Sequence, residues 1–117
     1  MTMTKEEIAK ELLDPYFINP DLCSHKGGNC LYNGPGGRKC AFAAACVDGA
    51  TLDENKSADH LLNTRGQGIL KEKYRHIADS IFWCKVQHVH DLLATGQVLA
   101  ANASYKRLTG QDAPGAA

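Results

Sequence analysis

The chain has 117 residues, in which 13 Lys plus Arg are balanced by 13 Asp plus Glu and 44% of positions are hydrophobic. That length supports one core and one domain. The even charge balance provides no field to draw in nucleic acid or an anionic membrane, nor the acidity of a nucleic-acid mimic.

The opening Met1-Thr-Met-Thr-Lys-Glu-Glu has neither the basic nor the apolar region of a secretory signal, and no window nears the roughly 20 apolar residues of a membrane span. The expectation is a cytoplasmic protein without membrane contact. Five cysteines in a reducing compartment then read as free, buried thiols rather than a disulfide framework.

In chain order, Thr4-Lys-Glu-Glu7 is a capping box that starts a first helix. Ile8, Leu12 and Leu13 form its apolar stripe, and Pro15, which disfavours helical geometry at Asp14, predicts an end near Leu13. Residues 15–29 read as irregular, with Pro20 and Gly27-Gly28 as breakers. A connection this long marks Cys23-Ser-His25-Lys26-Gly-Gly-Asn29 as a candidate binding segment.

Asn33-Gly-Pro-Gly-Gly37 next separates Cys30-Leu-Tyr32 from Arg38-Lys-Cys-Ala-Phe42, which predicts a β-hairpin with Cys30 and Tyr32 on one face, Arg38, Cys40 and Phe42 sharing a face of the partner strand, and the two cysteines turned inward together. Asp48-Gly49 reads as a turn. A short helix is expected from Ser57 to just before Gly66, carrying Leu61 and Leu62.

The spacing of Leu70, Tyr74, Ile77, Ile81 and Cys84, widened by Val89, Leu92 and Leu93, predicts one long core helix over 69–93 that could also supply a homodimer seam. Gly96 suits a C′ position, and a last helix is expected over 97–108, closed by Gly110. The fold expectation is therefore α+β: a small β-hairpin packed against a mainly helical domain over 1–110, followed by a disordered tail, 111–117.

Several residue sets carry candidate chemistry. Cys23, His25, Cys30 and Cys40 could together hold zinc, as thiolate and imidazole are its preferred ligands, but the close ligand pairs of structural zinc sites are missing. A cysteine nucleophile needs a lowered pKa, and only Cys40 has cations nearby in sequence. In His88-Val-His90-Asp91, i,i+3 spacing lets His88 touch Asp91, which reads as a structural His–Asp contact. No catalytic residue and no cofactor is selected.

The candidate binding residues are Asn33, Arg38 and Lys39 at the glycine-rich tip, where left-handed backbone lets amides converge on an anion, together with His25 and Lys26 in the preceding segment.

Cys30, Tyr32, Gly34, Gly37, Lys39, Cys40, Ala41 and Phe42, followed by Asp48, Leu61-Leu62 and His90-Asp91-Leu92, form a pattern that resembles a group of short bacteriophage proteins of uncharacterised function. These share a C-x-Y-x-G-x-x-G-x-K-C-A hairpin and a later His-Asp helix. The likeness covers about residues 5 to 108, with Ala43 standing where the group usually has Gly.

The resemblance implies a phage accessory protein, non-enzymatic, that antagonises antiviral defence in the cytoplasm of an infected host. Its partner would be a host defence protein or a small phosphorylated ligand such as a nucleotide signal. A zinc-stabilised interaction module and a cysteine-dependent enzyme are the alternatives.

Overall fold

The computed structural model describes residues 2–26 and 29–115. Its first helix, α1 (Lys5–Ile18), begins at the expected capping box: Thr4 Oγ1 accepts from the Glu7 amide at 3.1 Å and Glu7 Oε1 from the Thr4 amide at 2.9 Å. The helix does not stop before Pro15 but runs through it to Ile18. Pro15 is exposed, whereas Tyr16 is buried against His90 and Phe17 packs edge-on against Tyr105, with ring centroids 5.0 Å apart in each case. Packing of that last turn outweighs the backbone bond that proline removes.

After a 3₁₀ turn at Pro20–Leu22, β1 (His25–Lys26) and β2 (Asn29–Cys30) pair antiparallel over two residues each. This pair is the only ladder among the described residues. The hairpin expected over 30–42 is absent. Gly34 N–H bonds to Arg38 O at 2.8 Å and Cys40 N–H to Tyr32 O at 3.1 Å, so the chain doubles back there, but Pro35–Gly37 forms a 3₁₀ turn and Asn33–Lys39 is an isolated bridge.

The second expected strand is lost to helix. Cys40 caps α2 (Ala41–Ala45), its Sγ accepting from the Ala43 amide at 3.4 Å, and an Ala-Phe-Ala-Ala-Ala run favours helix over strand. The α+β expectation is thus replaced by a mostly helical fold.

Helix α3 (Ala58–Arg65) follows Ser57 and stops at Gly66, matching the sequence expectation. The long helix over 69–93 does not form. Gln67–Ile69 and Glu72–Tyr74 instead form 3₁₀ turns, and Leu70 and Lys71 between them run extended beside the end of α2, with Val47 N–H on Ile69 O at 2.8 Å and Lys71 N–H on Ala45 O at 2.9 Å. Helix α4 (Ser80–Ala94) starts only where Asp79 Oδ1 accepts from the amides of Ile81 and Phe82.

The apolar face of α4, including Phe82, Trp83, Val86, Val89 and Leu93, is buried within the chain's own core, so the homodimer seam expected along 69–93 loses both its length and its free face. At the other end of α4, Gly96 adopts φ 78°. The Gly96 and Gln97 amides bond back to Leu93 O and Leu92 O, turning the chain tightly into α5 (Val98–Thr109). Gly110 closes α5 in left-handed geometry, as the sequence indicates, and Ala113 beyond it is buried. Of the tail expected at 111–117, residues 116 and 117 lie outside the described residues.

The core is an aromatic chain. Phe42 of α2 lies 6.3 Å from Trp83 by ring centroids, Tyr32 reaches Phe42 at 5.9 Å, and Tyr74 and Phe82 reach Trp83 at 6.0 and 5.1 Å. All four tyrosines turn the hydroxyl to a hydrogen-bond partner: Tyr16 to Lys39 O, Tyr32 to Lys56 O, Tyr74 to Glu11 and Tyr105 to Asp14. Each buried ring therefore ties a loop or helix edge to the core. No helix among the described residues is long and apolar enough to cross a membrane.

Phe42 is fully buried and joins Tyr32 to Trp83, so Phe42→Ala should lower unfolding free energy by about 3–5 kcal/mol. Denaturant titration followed by the fluorescence of Trp83, the single tryptophan, measures this; a loss below about 1 kcal/mol would contradict the packing.

Candidate functional site

The polar centre of the molecule lies on the inner face of α4. His90 is fully buried, and its Nε2 accepts from the Ser24 backbone amide at 3.0 Å. An accepting Nε2 carries a lone pair, so the ring proton sits on Nδ1, which donates to Asp91 Oδ1 at 3.0 Å. The same Asp91 oxygen accepts from Gln87 Nε2 at 2.8 Å, and Gln87 Oε1 accepts from the Phe42 amide at 2.9 Å. Gln87, His90 and Asp91 thus fasten Ser24 and the start of α2 to one helix.

The His–Asp contact expected from His88 is made by His90; His88 is exposed. The sequence reading does not single out Gln87 or Ser24, although the i,i+4 spacing of Gln87 and Asp91 is a visible signal.

Cys30 Sγ, a His90 nitrogen and an Asp91 oxygen lie within 4.8 Å of one another, the only such His, Cys, Asp and Glu trio among the described residues. Cys23, His25, Cys30 and Cys40, the zinc set offered by the sequence, therefore do not converge on one ion. Nor does the observed trio suit a metal. An ion would have to take Nδ1, but the neutral ring would then carry its proton on Nε2, facing the Ser24 N–H donor. The geometry is that of a hydrogen-bond hub.

It also gives no nucleophile. Burial, then the Asp91 charge, pushes the Cys30 thiol up to about 12. Burial raises Cys40 to about 12, and Cys23 and Cys46 each to about 11. Cys84 is raised as well, mainly by burial. A catalytic thiol needs the opposite shift, and both nitrogens of His90 are already engaged.

Beside the hub opens a cavity of about 290 Å³ lined by Cys30, Tyr32, Glu54, Cys84, Gln87 and Asp91, among others. Glu54 is held there by the Tyr32 amide at 2.7 Å and the Asn33 amide at 3.2 Å.

The residues expected to bind a ligand are only partly brought together. Arg38 and Lys39 line a groove of about 500 Å³ between α1, the Pro35–Gly37 turn, α2 and residues 71–74. Its apolar lining comes from Leu12, Pro15, Tyr16, Leu22 and Ala44, and Lys71 adds a third cation that the sequence does not flag. Arg38 donates to the carbonyls of Asp21 at 2.6 Å and Pro35 at 3.2 Å, neutral acceptors that fix its position and leave its charge uncompensated.

Lys39 lies 3.8 Å from Asp48, an exposed and weak pairing. The groove's one carboxylate, Glu11, is taken up by Lys73 and Tyr74. Asn33 is exposed and shares a separate cavity with Lys39, while His25 and Lys26 stand exposed on β1 and do not line the groove. Of the amides expected to converge on an anion at the tip, those of Gly34 and Arg38 are consumed by Arg38 O and Pro35 O.

No protein-family model, curated protein or solved structure matches the chain.

In nitrogen-detected NMR His90 should show its proton on Nδ1, and Asp91→Ala, which orphans donors from His90 and Gln87, should cost about 1–3 kcal/mol; a proton on Nε2 would contradict the Ser24 contact. The thiols give a pH signature. Their folded pKa values of about 11 to 12 exceed the ordinary 9.0, so the unfolded chain loses these protons first. Stability from this source is complete below pH 9 and falls as pH rises from 9 towards 12, which denaturant midpoints across that window will report.

Proposed function

We propose that this chain is a small binding protein, not a catalyst, and that it works by occupying an acidic segment of a protein partner in the groove carrying Arg38, Lys39 and Lys71. In the setting that the Cys30–Phe42 and His90-Asp91 motifs resemble, it is a phage-encoded antagonist acting in the cytoplasm of an infected host, and the partner is a host defence protein.

The observation that carries the binding reading is the make-up of the groove: an apolar floor from Leu12, Tyr16 and Ala44 under a rim of three cations, with its single carboxylate held by Lys73 and Tyr74. An apolar centre with a charged rim is how a docking surface joins affinity to register and partner choice. Neutral net charge over the whole chain favours such local recognition over the diffuse attraction that draws a basic protein to nucleic acid.

The cysteine-dependent alternative is weakened by the raised thiols. The zinc-module alternative is weakened by the lack of a shared site for Cys23, His25, Cys30 and Cys40.

Expression of the chain in bacteria carrying individual defence systems should restore plaque formation against one of them, with the defence protein co-purifying in stoichiometric amount. Lys39→Glu with Lys71→Glu reverses two rim charges without touching the buried hub, and should lower partner affinity at least about tenfold. Unchanged affinity in the folded double variant would remove the groove from the reading, and no rescue of any system would remove the anti-defence role.

A further inference from the structure

A second cationic cavity lies between α4 and α5 and shares no residue with the groove. Lys85 and His88, one turn apart on α4, face Ser104, Arg107 and Leu108 on α5 across a space of about 260 Å³. Arg107 Nη2 lies 3.4 Å from Ser104 Oγ. No carboxylate lines the cavity.

Among the described residues, the lysine and arginine ion pairs involve Lys5, Lys10, Lys39, Lys73 and Lys106, and neither Lys85 nor Arg107 enters any of them. A basic residue near a helix C-terminus has a plain explanation in the helix dipole, which covers both Lys106 and Arg107 in the last turn of α5; Lys106 is in addition paired with Asp112 at 3.2 Å. That explanation does not extend to Lys85, six residues into α4, or to the meeting of the two cations across one cleft. Two like charges facing the same small space repel each other unless an anion lies between them.

We propose that this cleft is a binding site for a small phosphomonoester. Arg107 supplies a planar fork of donors for two phosphate oxygens, Lys85 a compact charge from the opposite wall, and the Ser104 hydroxyl and His88 ring additional hydrogen bonds. Leu108 gives the organic part of the ligand an apolar contact. The volume sits just below the roughly 300 Å³ at which pockets for drug-sized ligands begin, so the ligand is a phosphate carrying a group no larger than a short polyol or a single sugar. This cleft is independent of the groove and its protein partner.

The test is a titration of the full chain with inorganic phosphate, glycerol phosphate and glycerol, followed by amide chemical shifts. Saturable shifts at Lys85, His88, Ser104 and Arg107 are expected with both phosphates, stronger with glycerol phosphate and absent with glycerol. Lys85→Ala with Arg107→Ala, both exposed positions, should weaken binding at least about tenfold. Lys39→Glu with Lys71→Glu should leave it intact.

Shifts from phosphate alone, with no gain from the organic group, would reduce the site to a bare oxyanion site and overturn the phosphomonoester assignment. Shifts reproduced by chloride at equal ionic strength, or unchanged binding in the folded double-alanine variant, would overturn the site itself.

Discussion

The bond from the Ser24 amide to His90 Nε2 governs much else in this fold. A fully buried imidazole with an unpaired nitrogen would be costly, and the chain avoids that cost by bringing a backbone donor 66 residues away onto Nε2 at 3.0 Å. Once that bond sets the tautomer, Asp91 must receive the Nδ1 proton, Gln87 is drawn in as the second donor to Asp91, and the far end of Gln87 is free to accept from Phe42. Four hydrogen bonds in series thus decide where Ser24 and α2 lie on α4. The same series leaves no basic nitrogen for catalysis and no properly oriented one for a metal. Polarity here specifies position, and positions Cys30 and Tyr32 at the mouth of a cavity.

The legible part of the sequence is local. The capping box at Thr4, the start of α3 at Ser57, the Gly96 turn and the Gly110 stop each depend on a few adjacent residues, and each is found where its residues indicate. Sequence and structure part where local pattern competes with tertiary contacts. The apolar period from Leu70 to Cys84 is real, but Ile69 and Lys71 find backbone partners beside α2, and Asp79 provides a stronger helix start ten residues later. Pro15 reads as a stop because the packing of Tyr16 and Phe17 is invisible within one segment.

The hairpin fails for a different reason. The glycine-rich reversal is present, with Gly36 and Gly37 at φ 70° and 76°, but a turn does not dictate the conformation of the residues beyond it. Cys40 has a side chain able to cap and precedes a run of alanines around Phe42, so α2 begins where the ladder would have continued. Of the candidate binding residues, Arg38 and Lys39 meet in one groove because the reversal places them there. Lys71 joins them only through the unexpected extended run beside α2, a contact with no signature in its own sequence neighbourhood.

A chain with zero net charge can still present cationic sites if its carboxylates are committed elsewhere, and many of them are. Glu7 completes a cap, Glu11 receives Tyr74 and Lys73, Asp14 receives Tyr105, Glu54 clasps two amides, Asp79 starts α4 and Asp91 anchors the hub. Each serves folding through a hydrogen bond that neutral groups could make only more weakly. Arg38, Lys39, Lys71, Lys85 and Arg107 are left bordering open cavities with little or no compensation. Composition therefore reports an average that the fold separates locally, with these carboxylates engaged in hydrogen bonds and these cations left at the grooves. It is this separation, rather than the cysteine-rich segment, that underlies the proposal of an anionic partner.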